Sequence, residues 1–326
     1  ARNKVQQTRN QLLMRLNDTE FHSGEALAEQ FNLSRSAISN HVKALNDIGL
    51  EIFSVKGRGY KLARTVELLS WARISEQLAT NTSDLLQVAN IVGSTNNEVK
   101  AQMHARSGLV CLAEAQTAGR GRRGRKWISP FGSSIYMSML WHFGNGYQAM
   151  AGLSLMVGVV LNQTLKAFNL NECQLKWPND VYFEHQKLAG ILIEVEGQVG
   201  ASASAIIGIG VNMTLPNNVS DIDQPFIDIS QVSAISGSKV GRNAFVAALI
   251  NNLWNALPIF EKQGLAPFIA DWERADLYVN KPVVLISGSH ETRGISRGID
   301  SSGALLLEVN GKVSAYHGGE ISVRPA

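Results

Sequence analysis

Cysteine is nearly absent: the 326 residues contain two, Cys111 and Cys173. Neither has metal-type spacing, and both sit in apolar, strand-like contexts. They read as reduced core thiols of a cytoplasmic protein, which excludes a disulfide scaffold. The seven histidines show no ligand spacing either, so no protein-held metal site is expected. Long apolar runs are missing too. The longest mostly apolar stretch, 149–161, is too short and too glycine-rich for a membrane span and reads as a buried helix. No signal peptide is recognised at the start. There is no strand–GxGxxG–helix fingerprint and no GxxxxGK[ST] loop, which argues against a dinucleotide fold or a P-loop. Repeats and low-complexity tracts are absent. What remains is an ordinary globular composition, 45% apolar and 17% charged, on a chain long enough for two or three domains.

The net charge of +3 is unevenly spread, because residues 1–64 hold ten Lys/Arg against six Asp/Glu. A helix is expected over about 5–16. Ser23 is placed to cap a short helix that turns Leu27, Ala28 and Phe31 inward. After a turn at Asn32 and Leu33, Ser34 caps a third helix running to about Gly49. Ile38, Val42, Leu45 and Ile48 fall at helical spacing and form its buried stripe. Ser34, Arg35, Ser36, Ser39, Asn40 and Lys43 then share its start and outer side, as in a helix that reads a major groove. A strand over 51–55, a tip Lys56-Gly57-Arg58-Gly59 and a strand over 60–62 make a basic hairpin. Together these predict a winged helix-turn-helix that binds DNA; the alternative is a three-helix bundle for protein contacts.

Residues 65–90 read as a helical bridge. From 91 to 276, strand and helix patterns alternate, which suggests a mixed sheet with helices to one side, an α+β domain. Residues 277–326 read as five short strands with glycines at the turns, most simply closed as a small β-barrel.

Four polar clusters sit at strand ends in the middle domain: Gly93-Ser94-Thr95-Asn96, the run Gln116 to Lys126, Lys176-Trp177-Pro178-Asn179-Asp180, and Lys187-Leu188-Ala189-Gly190. Loops at strand ends are where sites gather. The stretch GRGRRGRKW (119–127) has five basic residues, and its glycines let backbone N–H groups turn toward one anion while the arginines supply charged forks. A phosphate or carboxylate suits this loop better than extended DNA; a solvated loop is the alternative. Asp180 is either a turn residue or a group that orients an amine. Lys187 opens an apolar strand and either meets an anion or reaches back to solvent. Ser94 is first a helix cap, but with Thr95 and Gln116 it offers neutral donors and acceptors to an uncharged polar ring.

Taken together, GSTN, GRGRRGRKW, KWPND, KLAGILIE and a terminal GGEIS behind a winged helix resemble, in order and along nearly the whole chain, the bifunctional biotin protein ligases and biotin-operon repressors of the BirA type. The resemblance implies an α+β multidomain fold. Its parts are a winged helix-turn-helix (1–64), a class-II-synthetase-like catalytic domain (65–276) and an SH3-like barrel (277–326). It implies formation of biotinyl-5′-AMP from biotin and ATP with Mg²⁺, then transfer to a lysine of a biotin carboxyl carrier protein. Biotin is then both substrate and precursor of a co-repressor. By motif, Ser94, Thr95, Asn96 and Gln116 line the biotin pocket, while Arg120, Gly121 and Arg122 fold over the carboxylate and phosphate. Lys187 contacts the carboxylate or α-phosphate, and Asp180 orients or deprotonates the incoming amine; Arg120, Arg122, Asp180 and Lys187 are thus the catalytic group. Nucleotide contacts fall to Arg122, Lys176, Asn179, Lys187, Asn212, Glu320 and Arg324. Between Asn212 and Arg242 the sequence departs from the family pattern, where a tryptophan is expected to cover adenine; Phe226 is the nearest aromatic to take that place. The DNA contacts implied are those named on the third helix plus Lys56 and Arg58, with an adenylate-bound homodimer on operator DNA. Two other readings stay open: a lipoate–protein ligase, and a biotin-sensing repressor without ligase activity.

Overall fold

The structure, a computed structural model, describes residues 2–79, 82–146, 150–197, 202–237, 239–318 and 321–326. The first unit comprises α1 (Arg2–Leu16), α2 (Gly24–Phe31), α3 (Arg35–Asp47) and an antiparallel hairpin of β1 (Ile52–Val55) and β2 (Gly59–Leu62). Both expected serine caps form. Ser23 accepts from the amide of Ala26 and Ser34 from that of Ala37. Asn32, at φ 53°, ends α2 in the left-handed conformation that asparagine tolerates. Ile38, Val42 and Leu45 pack on Leu12, Leu13, Leu16 and Leu27. This turns Ser34, Arg35, Ser36, Ser39, Asn40 and Lys43 to solvent, as expected, and Lys56 and Arg58 are exposed at the hairpin tip. The wing leans back on the segment between α1 and α2, because the Arg58 guanidinium stacks 4.3 Å from the Phe21 ring centroid.

Residues 65–90 are not a helical bridge. Among the described residues there only α4 (Trp71–Gln77) is α-helical, and β3 (Leu86–Val92) is already a strand of the central sheet. The local pattern yields there to tertiary pairing, since β3 lies parallel to β4 (Val110–Gln116). The connection is clamped rather than loose. Arg242 and Glu114 form a buried ion pair; Arg242 also donates to the carbonyls of Ser134 and Glu67, and Glu114 accepts from the amide of Leu69. Arg64, the last residue of the winged unit, donates to the carbonyl of Leu215.

The central sheet continues with β5 (Ser134–Phe143), β6 (Gln174–Lys176), β7 (Asp180–Phe183), β8 (Gln186–Gly197) and β9 (Ala203–Asn212), in the order β3-β4-β5-β9-β8-β7-β6. All neighbouring pairs except β3–β4 are antiparallel. Side chains alternate across it. Val110, Leu112, Met137, Met139, Ile207 and Ile209 enter the main core with α6 (Leu153–Ala167) and α8 (Arg242–Gln263). Cys111, Leu140 and Ile206 point the other way, toward Val99 of α5 (Thr95–Lys100). The helices are therefore not all to one side. That second face, only partly covered by the short α5, is where the cavity opens. Two further helices, α7 (Ile229–Ser236) and α9 (Ile269–Ala275), complete the domain.

The last unit holds β10 (Pro282–Ser287), β11 (His290–Ile299), β12 (Leu305–Val309), β13 (Lys312–Tyr316) and β14 (Ile321–Pro325) in one antiparallel sheet, order β13-β12-β11-β10-β14. Among the described residues the outer strands β13 and β14 do not pair, so the sheet is not closed. Trp177 donates to the carbonyl of Gly303 at 2.9 Å, tying this unit to the strand ends of the central sheet.

Candidate active site

A cavity of about 340 Å³ lies over the strand ends on the α5 face. Its floor is glycine. Gly190 and Gly210 face each other across β8 and β9, and Gly208 pairs with Ser138 of β5. A Cβ on Gly210 would sit 2.6 Å from the Trp127 ring, and one on Gly208 would sit 2.5 Å from Asn96 Oδ1. The sheet is thus bared so that two side chains can lie flat on it.

Ser94 caps α5 by accepting from the amide of Asn97, which aims Thr95 and Asn96 into the floor. Thr95 gives its amide to Gln116 Oε1 at 2.9 Å, and its hydroxyl lies 2.7 Å from Ser138 Oγ. Ser138 donates to Asn96 Oδ1, and Asn96 Nδ2 donates to Glu194 Oε1 at 2.9 Å. Gln116 Nε2 reaches Ser129 Oγ, which donates to the carbonyl of Trp127. Ser94, Thr95 and Asn96 are buried. The result is a neutral, fully wired polar wall.

The roof is cationic. Gly121 to Gly124 turn tightly; Arg123, at φ 59°, adopts the left-handed conformation, and Gly124 follows at φ 70°. The loop is tethered at both ends. Arg120 bonds Glu194 Oε1 at 2.5 Å and Asn97 Oδ1 at 3.1 Å. Arg122 and Arg123 donate to the carbonyls of Ile321 and Ile286, on β14 and β10 of the last unit. Arg120 therefore lines the cavity with its charge directed at the sheet, while Gly121 and Arg122 form the part of the roof nearest the C-terminal unit.

Lys187 is placed by a register shift. Val181 pairs with Ala189 but Tyr182 pairs with Lys187, so Leu188 is the extra residue. Such a bulge re-aims the next side chain. Leu188 drops fully into the core, and Lys187 turns onto the face of Gly190, its Nζ 3.2 Å from Asp180 Oδ1 and 5.3 Å from the Trp127 ring. Neither alternative offered by the sequence, a buried anion partner or an edge lysine, describes it alone: it is paired, and it borders open volume.

Lys176 is 6% exposed, with its Nζ 3.4 Å from the Tyr182 hydroxyl. Burial pulls its ammonium down to about 8, only partly countered by Asp180. Asn179 donates to the carbonyl of Ile191, and its buried Oδ1 has no partner among the described residues. Arg324 completes this end. Burial pushes the Glu194 carboxyl up, but the hydrogen bonds from Asn96 and Arg120 and the charge of Arg120 outweigh it, leaving the group below the usual carboxylate range.

Of the expected residues, the cavity gathers Ser94, Thr95, Asn96, Gln116, Arg120, Gly121, Arg122, Lys176, Asn179, Asp180, Lys187 and Arg324. It does not gather Asn212, which is buried and donates to the carbonyls of Lys187 and Ile227, acting as a clamp. Phe226 is half-buried and pairs through its main chain beside Lys187. Asp221, Asp223 and Gln224, earlier in the same loop, border the cavity instead. Glu320 lies outside the described residues. Sequence reasoning missed Glu194, Ser138 and the floor glycines Gly208 and Gly210; of the floor glycines it singled out only Gly190, within the Lys187–Gly190 cluster. The alternation Gly208-Ile209-Gly210 in a strand was a readable signal that one face had to stay bare.

The chain is similar to three family models in order: an HTH domain over residues 8–61, the Biotin/lipoate A/B protein ligase family over 88–212, and the Biotin protein ligase C terminal domain over 278–324. It is 43% identical over 317 residues to the bifunctional ligase/repressor BirA of Escherichia coli, covering 97% of each chain. It is 32% identical to a biotin–[acetyl-CoA-carboxylase] ligase of Paracoccus denitrificans, over 66% of this chain and 90% of that one. Among solved structures it resembles a biotin protein ligase from Aquifex aeolicus in complex with biotin and ATP, with 27% identity, TM-score 0.64, and 74% and 99% of the two chains covered.

Proposed function

The chain belongs to the family of bifunctional biotin ligases and repressors, and on that premise we propose how its cavity carries out the two half-reactions. The protein is a biotin ligase with a DNA-binding repressor domain. The observation that carries the reading is one cavity with a neutral hydrogen-bonding wall beside a cationic roof, which suits a molecule with an uncharged polar ring at one end and an anion at the other.

Thr95, Gln116 and their neighbours meet the ureido ring of biotin, and Gly121, Arg122 and Lys187 meet its carboxylate and the α-phosphate of ATP. Two anions must approach before they react, and arginine and lysine groups fixed in a site shielded from water offset their repulsion. A carboxylate oxygen attacks the α-phosphorus, the bond to the β-phosphate breaks, and pyrophosphate leaves. Lys176, Asn179 and Arg324 line the end where the nucleotide is expected. Its adenine would be covered by the loop containing Phe226. In the second step the neutral amine of a carrier-protein lysine attacks the acyl carbon and AMP departs. Asp180, freed when Lys187 turns to an anion, takes the proton.

Mg²⁺ enters as the companion of ATP. Among the described residues no group of three or more His, Cys, Asp or Glu side chains is placed to hold a metal. The cavity suits an ion held mainly by phosphates and water, as Mg²⁺ commonly is. Asp221 and Asp223 are the exposed carboxylates nearest to serve it, and it would neutralise phosphate charge.

The finer architecture belongs to the same reading: a class-II-synthetase-like catalytic domain and an SH3-like last unit, the latter supported by its five short antiparallel strands. So do a cytoplasmic setting, a carboxyl carrier partner, and a homodimer that forms on biotinyl-AMP binding and then takes up operator DNA. Paired recognition helices need matched half-sites, which favours a symmetric dimer. The test is to mix protein, biotin, ATP and a carrier domain. Biotin transfer to the carrier lysine is expected. Lipoate transfer instead would replace the reading with a lipoate ligase, and binding without transfer would leave only a sensor.

A further inference from the structure

We propose that Glu194 is a positioning residue that sets the direction of the hydrogen bonds running from Asn96 through Ser138 to Thr95, so that the Thr95 hydroxyl oxygen meets the ligand as an acceptor. This role for Glu194 rests on the ligase reading above and deepens it.

An ionised carboxylate can only accept. Glu194 Oε1 receives Arg120 Nη2 at 2.5 Å and Asn96 Nδ2 at 2.9 Å. With its amide nitrogen committed to Glu194, Asn96 must turn Oδ1 toward Ser138. The single Ser138 proton then goes to Asn96 Oδ1. The contact of 2.7 Å between Thr95 Oγ1 and Ser138 Oγ needs a proton, and only Thr95 has one left to give. Gln116 Oε1, at 3.3 Å, is the poorer acceptor for it. Thr95 lines the cavity, and with its proton given to Ser138 its Oγ1 has only lone pairs to offer a ligand there. A ring N–H fits there, and a ring oxygen is repelled. Glu194 also holds Arg120, so one carboxylate fixes both the polarity of the wall and the root of the roof.

A glutamine at this position could give its amide nitrogen to Asn96, flip that amide and reverse the relay, freeing the Thr95 proton for the cavity. Binding is measured calorimetrically for biotin and for a carbamate analogue in which one ureido N–H is replaced by oxygen. Wild type is expected to prefer biotin strongly. Glu194→Gln should weaken biotin by roughly tenfold or more, as loss of a charge-assisted bond does, and hold the analogue about as well as before, so that discrimination collapses. Ser138→Ala cuts the relay while leaving the Glu194–Arg120 pair in place, and should also lose discrimination. Glu194→Asp keeps an obligate acceptor and should keep the preference at reduced affinity.

A purely structural Glu194 would weaken both ligands alike, and that outcome in folded variants, judged by melting temperature, overturns the proposal. Unchanged discrimination in Ser138→Ala overturns it even if Glu194→Gln does not fold. Wild type that transfers biotin while the variants discriminate normally refutes only this inference; wild type that neither binds nor transfers biotin refutes the ligase reading with it.

Discussion

The guanidinium of Arg122 donates to the main-chain carbonyl of Ile321 at 2.8 Å, so the roof of the catalytic cavity is fastened to the C-terminal unit. The same unit contributes Ser322, Val323 and Arg324 to the cavity. A closed roof keeps water from the mixed anhydride. Arg122→Ala should lower adenylate formation by roughly 10²- to 10³-fold, the usual cost of removing a donor to developing charge. It should also release the adenylate that does form. Pyrophosphate exchange and labelling of bystander lysines measure the two effects. Full activity with undiminished adenylate retention would remove Arg122 from this role.

Lys176 predicts a pH dependence with a definite sign. Burial lowers its ammonium from 10.5 to about 8. Below about pH 8 the group is charged in both folded and unfolded chains, and the folded state carries the whole desolvation penalty. That penalty fades between 8 and 10.5 and is gone above. Lys176→Met should therefore stabilise the protein at pH 7 by on the order of 3 kcal/mol, with the gain vanishing by about pH 11. The same variant should bind ATP more weakly at pH 7. In wild type, KM for ATP should rise as pH passes through about 8, and Lys176→Met should flatten that rise. Melting and kinetic profiles across pH check both.

Gly208→Ala tests the bared floor. Its Cβ would meet Asn96 Oδ1 at 2.5 Å, a side chain already bonded on both ends. Overpacking of this kind costs about 1–3 kcal/mol. Biotin binding should fall by one to two orders of magnitude while the winged unit, with its separate core, still binds DNA. Parallel biotin and DNA titrations decide it.

On α3, Arg35→Ala and Lys43→Ala should weaken DNA binding without touching biotin transfer to carrier. If each contacts one phosphate, each should reduce the slope of log affinity against log salt by about one. An unchanged slope in both would move the DNA contact off the outer face of α3.

Much of this was legible in the chain. The caps Ser23, Ser34 and Ser94, the α3 stripe and the glycine–arginine loop are local features, written in side chains a few residues apart. Order and spacing of the polar clusters also identified the family. The strand at Leu86–Val92 was not legible, because its partner β4 begins at Val110 and only that pairing makes it a strand.

By itself, then, the sequence determined the capped helices and which residues are polar at element ends, because capping, periodicity and turn chemistry act over a few residues. Tertiary structure decided where those groups point. A bulge at Leu188 turned Lys187 onto the cavity, pairing brought Asn212 to the carbonyls of Lys187 and Ile227 as a clamp, and the strand β8 carried Glu194 beside Asn96, 98 positions away. Register and bulges are set by the fit of whole strands to one another, and no local window contains that information.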